Sequence, residues 1–252
     1  MTKLLVLCST QRSGSTMVSE DIKNTGLLGK PNEYFMKFIC GNDTTWKEFK
    51  TRIKINSSTG NGNQAIKVMS NQVTPIENKY HIITKNNKNL MQILEELGEP
   101  NFVQIVRENK LYQALSQIIA KKTGIYHKIK SNDKSYGKTS FTNVKDNYNN
   151  NILINKNEIM DTIIKITKEE VFWDRFFSEN NITPLRIHYE NAISDIHYIN
   201  LLLPKKNILS TEILQKIKDK RGILRLANQT TNSFYEKFSQ DSDIKYLLHN
   251  TN

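Results

Sequence analysis

Residues 3–16 read KLLVLCSTQRSGST, and the fold turns on how they are divided. Residues 3–8 form a short apolar run of the kind a buried parallel strand shows, and it stops at the polar turn 9–16. Residues 16–23 (TMVSEDIK) carry Met17, Val18 and Ile22 at an approximately helical spacing, and Asn24, Thr25 and Gly26 suit a helix stop. Strand, hydroxyl-rich turn with one glycine, and helix is the layout in which backbone N–H groups and a positive helix end face an anion. Gly14 lets the backbone approach a phosphate or sulfate, Ser13, Ser15 and Thr16 add hydroxyl donors, and Arg12 supplies a forked cation. The nucleoside-triphosphate loop G-x-x-x-x-G-K-[ST] needs a first glycine and a lysine, and this turn has neither. On these residues alone, an ordinary strand-to-helix turn serves equally well.

Residues 26–35 (GLLGKPNEYF) place Glu33 just behind Pro31 and just ahead of Tyr34 and Phe35. QRSGST, a helix and then P-x-E-[YF]-F resembles the bacterial sulfotransferases of the trehalose 2-sulfotransferase (lipopolysaccharide and glycolipid) type. That family takes sulfate from 3′-phosphoadenosine 5′-phosphosulfate and leaves adenosine 3′,5′-bisphosphate. The resemblance implies that Gln11, Arg12, Ser13, Gly14, Ser15 and Thr16 bind the donor, that Glu33 takes the proton of the acceptor hydroxyl, and that Glu33 and Tyr34 lie on the acceptor side.

The similarity continues in order along the chain. Residues 65–69 (AIKVM) resemble the second core strand of the family, with Lys67 as a strand-end lysine and Ser70 where the family has an aromatic. Residues 101–106 (NFVQIV) form the next strand candidate and deliver Arg107 at its carboxyl end, where an open parallel sheet binds ligands. The run RENKLYQALSQIIAKKTGIYH from Arg107 reads as a helix with Leu111, Ala114, Leu115, Ile118 and Ile119 on its apolar side, ending at Thr123 and Gly124. Its arginine, Q-A-x-S and T-G-x-[WY]-H resemble the family, which implies that Arg107 and Ser116 grip the 3′-phosphate and that Tyr126 and His127 lie on the acceptor side. Residues 225–238 (RLANQTTNSFYEKF) resemble the nucleotide-closing segment, implying contacts from Arg225, Asn228 and Gln229; helix capping is the other use of these residues.

Between these stretches, residues 38–55 read as a short helix, 80–85 as a short strand or turn, and 90–97 and 159–179 as helices, while residues 182–195 (ITPLRIHYENAISD) resemble the last core strand of the family and its Y-E-[DN] turn, carried by Tyr189, Glu190 and Asn191. Residues 128–156 are rich in Lys, Asn, Ser and Tyr with little periodicity, and read as a long loop suited to acceptor recognition. The fold expected is α/β: a P-loop-like three-layer arrangement, a central parallel sheet with helices on both faces, and the nucleotide at the carboxyl ends of the strands. Residues 1–252 are expected to form a single sulfotransferase domain with an acceptor or lid insertion at about 128–157.

Lysine and arginine outnumber aspartate and glutamate by 36 to 25, a formal charge of +11 that suits anionic ligands, nucleic acid or acidic surfaces without choosing among them. Cys8 and Cys40 provide neither a disulfide framework nor a metal cluster. The sequence carries no secretory signal pattern and no membrane-spanning run, so a soluble cytoplasmic protein is expected. No metal is expected as a cofactor, and a homodimer is an implication of the resemblance. The acceptor class implied is a carbohydrate or glycolipid hydroxyl.

Sulfuryl transfer resembles phosphoryl transfer in that positioning and charge neutralisation do most of the work. Arg12 and the loop backbone are expected to stabilise the charge on the leaving oxygen. Glu33 serves as a base if burial or a late proton transfer allows it, with His127 as the alternative. Two other readings stand beside this one. A P-loop kinase-like enzyme lacks its lysine and an obvious magnesium-binding aspartate, and a basic nucleic-acid or anion binder lacks a recognised motif, so no nucleic-acid partner is expected.

Overall fold

The computed structural model describes residues 3–41, 45–131 and 139–250. In chain order the elements are β1 (Lys3–Ser9), α1 (Ser15–Thr25), α2 (Tyr34–Cys40), α3 (Trp46–Ser57), β2 (Gln64–Met69), α4 (Val73–Thr84), α5 (Leu90–Glu95), β3 (Glu99–Val106) and α6 (Lys110–Thr123). There follow β4 (His127–Ile129), β5 (Ser140–Phe141), α7 (Lys156–Glu179), β6 (Leu185–His188), α8 (Tyr189–Ser194), α9 (Thr211–Asp219), β7 (Ile223–Leu224), α10 (Gln229–Ser239) and α11 (Ser242–Asn250). Short 3-10 turns lie at Ser70–Gln72, Ile196–Leu202 and Lys205–Asn207. The chain divides into two compact units, one made of Met1–Val106 and Glu169–Lys220, the other of Arg107–Lys168 and Arg221–Asn252.

The first unit holds the expected α/β architecture. Its sheet has the order β2-β1-β3-β6 with every pair parallel, and β1 runs between β2 and β3. Strand alternation sends Leu4, Val6 and Cys8 of β1, Ile66 and Val68 of β2 and Phe102 of β3 to one face. There they join Phe35 and Phe38 of α2, Trp46, Phe49 and Ile53 of α3, Ile76 and Tyr80 of α4, and Trp173, Phe176 and Phe177 of α7 in one apolar cluster. Leu7, Val103 and Ile105 point the other way and are buried as well, so both faces of the sheet are covered, as a parallel sheet requires. The register aligns Ser9 with Met69 and with Ile105, so β1, β2 and β3 end together and the turns after them share one edge.

Local chemistry explains the element ends. Gly26 and Gly124 close α1 and α6 in the left-handed conformation, while Thr45, Asn89, Asn109, Ser210 and Asn228 cap the starts of α3, α5, α6, α9 and α10 with side-chain oxygens. Two expectations from sequence are corrected here. Residues 80–85, read as a strand or turn, belong mostly to α4, whose Val73, Ile76 and Tyr80 recur at helical spacing on the buried side. Residues 38–55 are the end of α2 and most of α3, two separate helices.

The second unit has its own core of Leu111, Leu115, Ile118 and Ile119 from α6, Ile159, Ile163 and Ile166 from α7, Phe238 and Ile244. It carries a three-stranded sheet of order β5-β4-β7. The stretch expected as a loop therefore contributes two short strands; residues 132–138 of it lie outside the described residues. Asn149, fully buried, donates to Asn228 Oδ1 at 3.2 Å and to Thr231 Oγ1 at 3.1 Å, which fastens that stretch to the start of α10.

Candidate active site

The turn from Thr10 to Gly14 is shaped by backbone conformations that side chains resist. Arg12 and Gly14 both have positive φ, 62° and 90°, and Gly14 is the residue before α1. A Cβ on Gly14 would lie 2.1 Å from Cδ2 of Tyr189, the first residue of α8, so glycine is required there by both conformation and space. Ser13 is fully buried and its hydroxyl has no hydrogen-bond partner. A buried unpaired hydroxyl in a turn that opens an eleven-residue helix suits an anion with acceptor oxygens. A phosphate or sulfate group fits this donor set. The turn is anchored from behind: Trp173 Nε1 donates to Ser9 O at 3.1 Å, and Ser9 Oγ to Met69 Sδ at 3.1 Å.

Glu33 reaches the same sheet edge by a different route. Strand β2 lies at the end of the sheet order, and the chain at residues 29–33 runs against it. Gly29, at φ 96°, passes so close that a Cβ would meet Ala65 N at 2.3 Å. Lys67 N donates to Asn32 O at 2.9 Å, and Asn32 Oδ1 accepts Glu33 N at 2.8 Å. The carboxylate of Glu33 is thereby held beside Lys67, whose Nζ is 3.1 Å from Oε1, and Gln72 Nε2 donates to Oε2 at 2.8 Å.

Lys67 is the residue that the sequence undervalued. A strand-end lysine reads as solvated, yet Lys67 is 4 % exposed, and its Nζ also approaches Thr16 Oγ1 at 3.4 Å. One buried ammonium thus touches both the first turn of α1 and the carboxylate of Glu33. Burying a cation requires a compensating anion and polar contacts; Glu33 supplies the anion. Gln72, 5 % exposed in the 3-10 turn after β2, carries no signal in the sequence either.

Tyr34, expected on the acceptor side, is engaged by its own neighbourhood. Its hydroxyl lies 2.7 Å from Lys30 O and 2.8 Å from Asn56 O, and its one proton serves these carbonyls in turn. Burial pushes the phenol up to about 12. The hydroxyl braces residues 29–33 against the end of α3.

The remaining candidates belong to the second unit. Arg107, half-buried, has its guanidinium over the Tyr112 ring at 5.7 Å, and its carbonyl accepts from Lys110 Nζ. Tyr112 stacks on Tyr235 with centroids 4.4 Å apart, its hydroxyl donates to Asn232, and Asn109 Nδ2 donates to the Tyr235 hydroxyl at 3.1 Å. Ser116 is half-buried within α6. Tyr126 and His127 are half-buried at the start of the small sheet, with Tyr126 N donating to Thr139 O at 2.9 Å. Asn228 caps α10 by accepting Thr231 N at 3.0 Å and donates to Asn149 Oδ1 at 2.6 Å, while Arg225 and Gln229 beside it are exposed.

Among the described residues no group of three or more His, Cys, Asp or Glu is placed to hold a metal ion, and no helix is long and apolar enough to cross a membrane. In comparison with known proteins, a family model described as Stf0 sulphotransferase matches residues 4–241. No curated protein matches. Among solved structures, the sulfotransferase domain of the Synechococcus PCC 7002 olefin synthase is similar, at 14% identity over 95% of each chain; its TM-score of 0.33 is too low to carry an argument.

Proposed function

The chain belongs to the Stf0 sulphotransferase family, and on that premise we propose that it moves a sulfuryl group from 3′-phosphoadenosine 5′-phosphosulfate to a hydroxyl of a carbohydrate or glycolipid, with Glu33 as the general base. Sulfuryl transfer as the activity class follows from the family. The observation that supports the finer reading is the buried Lys67 ammonium, 3.4 Å from Thr16 Oγ1 of the anion-type turn and 3.1 Å from Glu33 Oε1. A group that accepts a proton and a turn that suits an anion are thereby tied to one side chain.

The donor, when bound, supplies the activated sulfuryl group. The residues that would hold it are the turn Gln11, Arg12, Ser13, Gly14, Ser15 and Thr16, together with Arg107 and Ser116 for the 3′-phosphate and Arg225, Asn228 and Gln229 for the nucleotide. Arg12, Lys67 and the N–H groups opening α1 neutralise negative charge at that turn. Glu33 accepts the proton of the acceptor hydroxyl, for which it must come within about 3 Å of the oxygen. Tyr126, His127 and the surrounding insertion at 128–157 face the acceptor, and Tyr34 supports the segment that carries Glu33. The reading takes residues 1–252 as one cytoplasmic sulfotransferase domain that works without a metal, as a monomer or a homodimer.

The test is incubation of the purified protein with the donor and a panel of glycosides and glycolipids, followed by mass spectrometry. A mass gain of one SO3 unit on a member of the panel, absent with Glu33→Gln, supports the reading. Consumption of ATP with magnesium and no sulfate transfer overturns it in favour of a kinase-like enzyme.

A further inference from the structure

The Glu33 carboxylate is gripped at both oxygens, and each grip is fixed by something else. Gln72 Nε2 donates to Oε2 at 2.8 Å, while Gln72 Oε1 accepts the backbone N–H of Met69 at 3.1 Å. A backbone N–H can only donate, so this second bond settles which end of the amide is the carbonyl and aims the NH2 end at Glu33. The amide is 5 % exposed and has no room to swing into water. On the other oxygen, Lys67 Nζ at 3.1 Å is pinned by its burial and by Thr16 Oγ1. Both grips hang from the same strand: Lys67 lies within β2, and Gln72 ends the turn that follows it.

Such a hold exceeds what keeping Glu33 folded requires. Its side chain is 32% exposed, and a half-exposed glutamate at a helix start is ordinarily left free, because ordering its long side chain costs rotamer entropy. Here two buried polar groups order it.

We propose that Gln72 and Lys67 are positioning residues that clamp the Glu33 carboxylate at two points and so fix the direction from which its remaining lone pairs meet the acceptor hydroxyl. The proposal rests on the reading of Glu33 as the base and deepens it. A carboxylate has about four lone-pair sites. The clamp occupies one on each oxygen and leaves one on each, in the carboxylate plane. Rotation about the last side-chain bond, which is soft and broad in a free glutamate, is removed, so proton transfer needs no search for orientation. The two residues hold Glu33 in different ways. Lys67 ties the carboxylate to the turn through Thr16, and Gln72, uncharged, sets only its angle.

The test has a structural and a kinetic arm. In proton–nitrogen correlation spectra, the Gln72 side-chain amide of the wild type is expected to give two well-separated proton signals with slowed exchange. In Glu33→Ala these should collapse toward the positions of a solvent-exposed glutamine. Wild-type signals already at those positions overturn the clamp. On the acceptor that the glycoside panel yields, Gln72→Leu is expected to lower kcat about 10- to 100-fold with the donor KM within about twofold, and Gln72→Glu, which cannot donate and repels Glu33, to fall at least as far. If the amide signals depend on Glu33 but kcat of Gln72→Leu equals that of the wild type, the contact is structural and the proposal fails. Wild-type transfer by Glu33→Gln sinks the base reading itself, whatever the amide signals show.

Discussion

Glu96 and Glu33, two partly buried carboxylates of the first unit, differ in how full they are. Glu96 receives Trp46 Nε1 at 2.6 Å, the Tyr80 hydroxyl at 2.6 Å, Lys88 Nζ at 2.7 Å and Lys50 Nζ at 3.2 Å. Against about four lone-pair sites that is saturation. Burial opposes its ionisation, and the donors outweigh burial, holding the carboxyl down at about 2. Glu33 receives only Lys67 and Gln72 among the described residues and is 32% exposed. A saturated carboxylate knits α3, α4 and α5 together and has nothing left to offer a substrate. An oriented but half-filled one retains capacity for a hydroxyl.

Transfer assays separate the two carboxylates most visibly. Glu33→Gln is expected to lower kcat by about 10²- to 10⁴-fold, the usual loss for a general base, with a melting temperature close to wild type. Glu96→Gln should leave kcat unchanged. The opposite pattern would exchange the roles assigned to the two residues.

The turn beside Glu33 offers the next largest effect. Gly14→Ala forces a side chain into positive φ and against Tyr189, which should lower unfolding free energy by on the order of 3 kcal/mol, read by urea denaturation. Binding of adenosine 3′,5′-bisphosphate should be lost with it. A stable Gly14→Ala that binds the nucleotide normally would show that the turn is not tightly packed around its ligand.

Glu96→Gln is expected to lose on the order of 2 kcal/mol of stability from weakened charge-assisted hydrogen bonds. The pH dependence has a definite sign. Because the folded carboxyl is held at about 2 against an ordinary 4.5, the stability it confers is present above pH 4.5 and drains away as pH falls toward 2. The urea midpoint of Glu96→Gln should therefore fall less over that window than that of the wild type. A parallel fall would mean that the cluster does not form in solution. The smallest effect belongs to Tyr34→Phe, about 1 kcal/mol for one hydroxyl bond shared between two carbonyls, again read by urea.

How far these residues were legible depends on how local their causes are. The first strand, its turn and α1 could be read directly, since periodicity, Gly14 and Gly26 act within a few residues. The caps of α6 and α10 are likewise local. Lys67 could not be read as buried, because its burial depends on residues 29–33 covering the edge of β2 through the bond from Lys67 N to Asn32 O. Gln72 meets Glu33 across 39 residues of chain, which no spacing rule reports. Residues 80–85 misled because Tyr80, Ile82 and Ile83 have strand propensity, and packing on the apolar cluster overrides it. Strands β4 and β5 are only three and two residues long, too short for alternation to show.

The most direct measurement is calorimetric titration of adenosine 3′,5′-bisphosphate into the wild type and Arg12→Ala. Saturable one-site binding by the wild type is expected, weakening about 10- to 100-fold when the charged donor of Arg12 is removed. A well-folded wild type that takes up no adenosine 3′,5′-bisphosphate would rule out the turn as the donor site.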